Sequence, residues 1–153
     1  MEPRFSNTEL NPDLYRRMAA LNSAVAHCGL DQGLLELINM RASQINGCAY
    51  CLDIHSKDAR AKGETEQRLY ALNAWRETPF YTERERAALA LTEAITLITD
   101  GHVPDSVYEQ ACRVFDEKEV SQIVWAAAVI NTWNRLAISA RSVPGSYQPP
   151  ERQ

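Results

Sequence analysis

The chain has 153 residues, of which 45% are hydrophobic and 24% charged, and its formal net charge is −4. This length is typical of one domain with a single core, and the composition excludes a disordered chain. The acidic balance, with no basic run longer than a pair, argues against nucleic acid or an anionic membrane as the main partner. The longest apolar stretch, 123–130, is too short to span a bilayer, and residues 1–7 lack the features of a signal peptide. We therefore expect a cytoplasmic enzyme or binding protein.

Start and stop signals along the chain predict helices and no strands. Six Gly and seven Pro lie almost entirely between runs of helix-forming residues. Asn11 and Asp31 are cap residues for the first two helices, Thr82–Glu85 is a capping box, and Asp116 caps the last helix. The seven predicted helices span about residues 12–28, 31–46, 47–62, 65–78, 82–97, 104 onward and 116–142.

The links between these helices are only a few residues long, which places successive helices side by side in antiparallel hairpins. We therefore predict an all-α fold, a single-domain bundle of about seven helices over residues 1–153. Its core is expected over about 10–142, followed by an extended tail over 143–153. The last helix is apolar nearly all round from 123 to 130, so we expect it at the buried centre of the bundle or of a subunit interface.

The four cysteines, at positions 28, 48, 51 and 112, include one Cys-x-x-Cys pair. In a reducing compartment such a pair indicates redox chemistry or metal binding before a structural disulfide. Cys48, Cys51 and His55 stand at i, i+3 and i+7 of a predicted helix, within one sector of about 60° on a single face. Residues three apart on a helix have the Cα separation that a disulfide tolerates. All three side chains can therefore meet in one pocket.

This arrangement suits thiol chemistry. The thiolate is the form that attacks peroxides and disulfides, and a free thiol with a pKa of about 8.5 is mostly protonated at neutral pH. An imidazole one turn beyond Cys51 can take its proton, and the first turn of the helix favours negative charge. A second thiol three residues earlier can condense with a sulfenic acid to give a disulfide.

A zinc site is the main structural alternative. Zinc needs four ligands, and the only candidate ligands besides the two cysteines are His55 and Glu36. A c-type haem is excluded because Leu52 stands where its attachment motif needs histidine. We expect no cofactor and no bound metal. Inert packing of the cysteine pair is a further alternative.

Other polar and sulfur residues have structural interpretations. Cys28 and Cys112 lack a Cys or His at a useful spacing and are predicted to be small packing residues. Glu93 stands among apolar residues, so it needs an Arg or His partner or a cavity, and we favour the partner. A buried polar network or a subunit contact is predicted for three residues that interrupt the apolar last helix, Asn131, Asn134 and Arg135.

The spacing Glu-x11-Cys-x2-Cys-x3-His, which runs from Glu36 to His55, resembles the signature of the AhpD-like alkylhydroperoxidases of the carboxymuconolactone decarboxylase family. The flanking residues 41–60 are similar to the core of that family, and 82–94 and 131–137 are similar to its later helices. The resemblance covers roughly residues 10 to 140.

The resemblance implies an all-helical protomer in homo-trimers or homo-hexamers, which reduces a hydroperoxide to an alcohol and is reset by an external thiol or dithiol reductant. It assigns four roles by position: the peroxidatic thiol to Cys51, the resolving thiol to Cys48, the base to His55 and the start of a proton relay to Glu36. Tyr50 stands where the best-known alkylhydroperoxidase has a histidine. Decarboxylation is disfavoured, because the decarboxylases of the family lack the paired cysteines.

The predicted function is therefore a thiol-dependent alkylhydroperoxidase that acts through a disulfide between Cys48 and Cys51. The first alternative is a general disulfide reductase or redox sensor that uses the same pair. The second alternative is a non-catalytic helical oligomer that binds zinc or a small ligand. The sequence does not separate the peroxidase from the first alternative, because peroxide preference depends on the shape of the pocket.

Overall fold

The computed structural model describes residues 2–150, and its all-α fold confirms the predicted fold class. Within these residues there are eight α-helices and one 3-10 helix, and no strand. The helices are α1 Asn7–Leu10, α2 Pro12–Ala26, α3 Gln32–Asn46, α4 Ala49–Ala61, α5 Glu66–Ala71, the 3-10 helix Leu72–Glu77, α6 Glu83–Thr96, α7 Asp105–Cys112 and α8 Glu117–Ala140. No helix in this part of the chain has the length and apolarity needed to cross a bilayer.

The predicted caps of α3, α6 and α8 are formed. The Asp31 carboxylate accepts a hydrogen bond from the backbone N–H of Leu34 at 2.9 Å. Thr82–Glu85 and Asp116–Glu119 are both reciprocal capping boxes, in which each end of the motif accepts a backbone N–H from the other. A cap of this kind stabilises a helix by about 1 kcal/mol, so local sequence is enough to fix these three starts.

Three segments differ from the prediction or extend it. The short helix α1 precedes the first predicted helix, and its N-cap Ser6 accepts from the backbone N–H of Glu9 at 3.3 Å. The helix predicted over 65–78 is divided into α5 and the 3-10 helix, and Ala74 leaves the helical region at φ −117° and ψ 29°. Residues 143–150 contain no helix, as predicted for the tail, and 151–153 lie outside the described residues.

Helix α3 lies at the centre of the bundle and packs against α4, α6 and α8. Leu34, Leu35 and Ile38 join a hydrophobic cluster with residues of α6 and α8, whereas Leu37 and Met40 join a second cluster with residues of α4, α5, α6 and the 3-10 helix. Because apolar neighbours cover α3 on several sides, the polar residues that it carries toward α4 are also buried.

Helix α8 is buried along one face only. Ile123, Ala127 and Ile130 are in the core, but Val124 and Trp125 are 40% and 55% exposed. The expectation that this stretch is the buried centre of the bundle is therefore wrong for the outer face. In the single chain, one side of this apolar stretch is exposed to solvent. The burial of that side in a subunit interface stays a prediction.

Glu93 has the structural partners that its apolar surroundings require. Its carboxylate accepts from Arg41 Nε at 2.7 Å, from the Trp75 indole N–H at 2.8 Å and from Arg76 at 2.5 Å. Burial alone would raise the pKa of this carboxyl, but these donors outweigh burial and keep the pKa below its usual range. Glu93 therefore ties α3 and the 3-10 helix to α6.

Candidate active site

The cysteine pair lies at the junction of α3 and α4. Gly47 ends α3 in the left-handed conformation, with φ 67° and ψ 33°, which glycine adopts without strain. Cys48 follows as the N-cap of α4, in extended conformation, and Cys51 is in the first turn. The prediction that the helix begins at residue 47 and includes Cys48 is therefore wrong by two residues. As a consequence, the Cys48 sulfur lies beside backbone N–H groups that the first helical turn leaves free.

Both thiols are buried and free, with Cys48 1% and Cys51 4% exposed. A hydrogen bond from the Cys51 thiol, assisted by the backbone N–H groups of Cys51 and Tyr50 and by Asn134, outweighs burial and lowers the pKa of Cys48 to about 6. Hydrogen bonding to Cys48, together with burial, raises the pKa of Cys51. In the reduced pair, donation from the Cys51 thiol therefore favours the thiolate at Cys48.

His55 is held by a buried carboxylate on the neighbouring helix. Its Nδ1 lies 2.9 Å from Glu36 Oε2, and Lys62 Nζ lies 2.5 Å from Glu36 Oε1. Burial would raise the pKa of Glu36, but the hydrogen bonds and charges of His55 and Lys62 outweigh burial and lower it. An ionised carboxylate only accepts hydrogen bonds, so Nδ1 of His55 donates to Glu36, and Nε2 is the nitrogen left to exchange a proton.

A cavity of about 440 Å³ opens beside this group. Cys51 and His55 both contribute to its wall, whereas Cys48 is not among the described residues that line it. A small molecule in the cavity would therefore meet the sulfur of Cys51 and the imidazole together.

Segments near both ends of the described chain complete the cavity wall. The Tyr147 hydroxyl donates to Asp58 at 2.7 Å, and Lys57 Nζ donates to the backbone oxygen of Tyr147 at 2.9 Å. At the other end, the backbone N–H of Arg4 donates to the oxygen of Ala140 at 2.8 Å. These hydrogen bonds hold the tail against α4 and the N-terminal segment against the end of α8.

The polar network predicted for the last helix is buried at Asn131 and Asn134 and supports the cysteines, whereas Arg135 at its edge is exposed. Asn46 Nδ2 donates to the side-chain oxygens of Asn131 and Asn134 at 2.9 and 2.8 Å. Asn134 in turn donates to Ser43 Oγ at 3.0 Å and lowers the pKa of both cysteines by hydrogen bonding. Arg135 donates to the backbone and side-chain oxygens of Asn131. The network fixes the α3–α4 junction against α8.

The structure brings together the four residues predicted for the site, Glu36, Cys48, Cys51 and His55. Their catalytic roles stay predictions. Sequence reasoning missed Lys62 at the site, although its position seven residues after His55 places it on the same helical face. It also missed Tyr147, for which no sequence signal was available.

The other two cysteines lie apart from the pair. Cys28 is partly buried and packs against the core, as predicted. Cys112 is exposed, so the prediction that it is a packing residue is wrong. It is in the last turn of the short helix α7, whose outer side faces solvent.

A group of possible metal ligands among the described residues consists of Glu36, His55 and Asp58, with donor atoms within 4.8 Å of one another. The cysteines do not belong to this group. Glu36 already pairs with Lys62, and Asp58 accepts from the Tyr147 hydroxyl. This arrangement does not favour a zinc site at the Cys-x-x-Cys pair. Such a site would take the two cysteine sulfurs as zinc ligands, and neither sulfur belongs to this group.

Sequence comparison finds relatives of this chain. Residues 12–94 match the sequence model of the Carboxymuconolactone decarboxylase family. The uncharacterized protein YdfG of Bacillus subtilis (strain 168) is 42% identical over 139 residues, which cover 91% of this chain and 95% of YdfG.

Two solved structures have the same fold. A protein of unknown function from Agrobacterium tumefaciens, provisionally described as the antioxidant defence protein AhpD, has a TM-score of 0.90 and 38% identity over 98% of this chain and 100% of that one. The debrominase Bmp8 has a TM-score of 0.79 and 23% identity over 91% of this chain and 75% of its own. The likeness to Bmp8 concerns the fold alone, and it shows that an enzyme uses this fold.

Proposed function

Because the chain belongs to the carboxymuconolactone decarboxylase family and has an AhpD-like fold, we propose that it is a thiol-dependent peroxidase that reduces organic hydroperoxides. The observation that carries the proposal is the position of Cys51. Its sulfur is in contact with Cys48 on one side, and it shares the wall of a small-molecule cavity with His55 on the other. A nucleophile, a base and a resolving thiol are thus available at one place.

The first step of the proposed reaction forms a sulfenic acid. His55 takes the thiol proton of Cys51 as the sulfur attacks the terminal oxygen of the hydroperoxide. A sulfur–oxygen bond forms and the oxygen–oxygen bond breaks. The leaving alkoxide takes the proton from His55 and departs as the alcohol, so the peroxide is reduced by two electrons.

The second step closes the disulfide. The Cys48 thiolate attacks the sulfur of the Cys51 sulfenic acid, the disulfide bond forms, and hydroxide leaves and is protonated to water. The depressed pKa of Cys48, to about 6, keeps this sulfur in its attacking form at neutral pH. An external dithiol then returns two electrons and two protons by thiol–disulfide exchange and becomes a disulfide itself.

Reduction of disulfides is a second candidate function. It is favoured by the lowered pKa of Cys48, because a thiolate is the attacking species in thiol–disulfide exchange. Both sulfurs are buried, however, and a cavity of about 440 Å³ admits a small molecule more readily than the disulfide of another protein. Peroxide reduction is therefore the better supported function.

A single-turnover experiment tests the proposal. Reduced protein is mixed with one equivalent of tert-butyl hydroperoxide, the remaining thiols are counted, and the oxidised peptides are mapped by mass spectrometry. We expect the loss of two thiols per chain and a disulfide between Cys48 and Cys51. Unchanged thiols, together with rapid reduction of insulin disulfides in the presence of a dithiol, would instead identify the protein as a disulfide reductase.

We also propose that the working unit is a homo-trimer or homo-hexamer. Apolar side chains of α2 and α8 are exposed in the single chain, with Leu14 at 68% and Trp125 at 55%. A face of this kind is common at interfaces between subunits. The expected molar mass from light scattering is three or six times 17.2 kDa, and Trp125→Glu is expected to reduce it. A wild-type mass of one chain would contradict this assembly.

A further inference from the structure

The wall of the cavity beside Cys51 contains several aromatic side chains. Five of its lining residues carry aromatic rings: Phe5, Tyr15, Tyr50, Trp133 and Tyr147. Tyr15 and Trp133 pack edge to face, with ring centroids 5.4 Å apart and an interplanar angle of 66°. Aromatic rings attract a further ring through offset or edge-to-face contacts as well as by burial of apolar area.

Two of these rings are fixed by hydrogen bonds at their polar ends. The Trp133 indole N–H donates to Asn22 Oδ1 at 3.1 Å, and the Tyr147 hydroxyl donates to Asp58 at 2.7 Å. These polar atoms are occupied by the protein, so the rings offer mainly apolar surface to a bound molecule. These two rings are thus held in place before a substrate enters, which reduces the entropic cost of binding against them.

The aromatic residues come from separate parts of the chain. Tyr15 and Tyr50 are within the segment that matches the family, residues 12–94, as are the cysteines and His55. Phe5, Trp133 and Tyr147 lie outside it. The reacting groups and much of the cavity wall are therefore supplied by different segments, which allows the wall to select a substrate independently of the chemistry.

We propose that this cavity selects hydroperoxides whose organic group carries an aromatic ring. The inference rests on the proposed peroxidase function and names its substrate class. The volume of about 440 Å³ is within the range of pockets that bind organic ligands, and it is far larger than hydrogen peroxide needs. The peroxide end would lie at Cys51 and His55, and the ring would lie among Phe5, Tyr15 and Trp133. The ring takes no part in the reaction and leaves with the alcohol.

The test compares three peroxides that share the reacting group: cumene hydroperoxide, tert-butyl hydroperoxide and hydrogen peroxide. We expect the highest kcat/KM for cumene hydroperoxide. In the double variant Phe5→Ala/Tyr15→Ala, the ratio of kcat/KM for cumene hydroperoxide to that for hydrogen peroxide is expected to fall about tenfold, because two apolar contacts are lost.

The matched control is Tyr70→Ala/Phe80→Ala, which removes the same two ring types from exposed positions outside the cavity wall. We expect this control to keep the wild-type ratio, and thermal unfolding followed by circular dichroism is expected to show that both double variants fold. Equal ratios in the wild type and Phe5→Ala/Tyr15→Ala, or the same loss in both double variants, would overturn the inference.

A binding measurement separates this inference from the peroxidase proposal. The probe is 2-phenyl-2-propanol, the alcohol formed from cumene hydroperoxide, and saturation-transfer NMR reports its contact with the reduced protein. We expect a signal that is lost in Phe5→Ala/Tyr15→Ala and kept in the control. Binding of the alcohol without any reaction with the three peroxides would contradict the peroxidase function but support the aromatic cavity. Reaction without binding or selectivity would overturn only the aromatic cavity.

Discussion

Replacing Cys51 with serine is expected to reduce the rate of reaction with tert-butyl hydroperoxide on the order of 1000-fold. Cys51 lines the cavity and is the sulfur that a bound peroxide would meet. A serine hydroxyl is a far weaker nucleophile and forms no sulfenic acid. Stopped-flow measurement of peroxide consumption, with enzyme in excess, gives the rate directly.

The cysteine variants also assign the two roles. Cys48→Ser is expected to retain the first attack and to accumulate a sulfenic acid on Cys51, which dimedone traps, because the resolving thiol is missing. Cys112→Ser is the control, since this exposed cysteine lies outside the cavity, and it should react at the wild-type rate. If Cys48→Ser were inactive while Cys51→Ser reacted normally, the two roles would be reversed.

The charge on the pair can be measured independently of the reaction. Thiolate absorbance at 240 nm in the reduced protein is expected to rise with a midpoint near the pKa of Cys48, about 6. It should disappear at this pH in Cys48→Ser. In Cys51→Ala the midpoint should move to higher pH, because the thiol that donates to Cys48 is the main cause of its lowered pKa. The resolving sulfur would then be the resting thiolate, and the sulfur at the cavity would ionise only during attack.

Local signals in the sequence were sufficient for much of the fold and for the centre of the site. The caps at Asp31, Thr82 and Asp116 depend on neighbouring residues, so the sequence predicts them directly. The spacing of Cys51 and His55 was enough to place both side chains in one pocket, but Cys48, which was predicted to share it, contacts Cys51 from outside the cavity wall. It was not enough to show that Cys48 is an N-cap, because cysteine is not a typical cap residue.

The features that the sequence did not predict depend on contacts between distant segments. Lys62 reaches Glu36 only because α4 packs along α3, and Tyr147 reaches Asp58 across 89 positions of the chain. No periodic pattern encodes such contacts. The same reason explains why Trp125 was wrongly expected to be buried in the bundle. The apolar residues of a helix do not show which of its sides a neighbouring helix will cover. The cavity beside Cys51 was therefore not predictable from the sequence.

Glu36→Gln is expected to slow the reaction with hydroperoxide on the order of 100-fold. The glutamine keeps the size of the side chain, and its oxygen can still accept from His55, but it removes the negative charge that stabilises the proton passing through the imidazole. The single-turnover rate of peroxide consumption reports this loss. Glu93→Gln is the matched control: this carboxylate is also ion-paired and is partly buried, but it lies outside the cavity wall. We expect it to lower stability and to leave the rate unchanged.

The same variant should change how stability depends on pH. The pKa of Glu36 is lower in the folded protein than its ordinary value of 4.5, so the folded state binds this proton less tightly than the unfolded state. The stabilisation from the ionised carboxylate is therefore fully present above pH 4.5 and is lost as the pH falls through the folded-state pKa.

At pH 7 we expect Glu36→Gln to lower the free energy of unfolding by about 2 kcal/mol, because Lys62 and His55 lose their charged acceptor. Urea unfolding at several pH values should show this difference shrinking below pH 4.5. A difference that stayed constant down to strongly acidic pH, together with a wild-type rate at pH 7, would show that the charge of Glu36 contributes neither to stability nor to the relay.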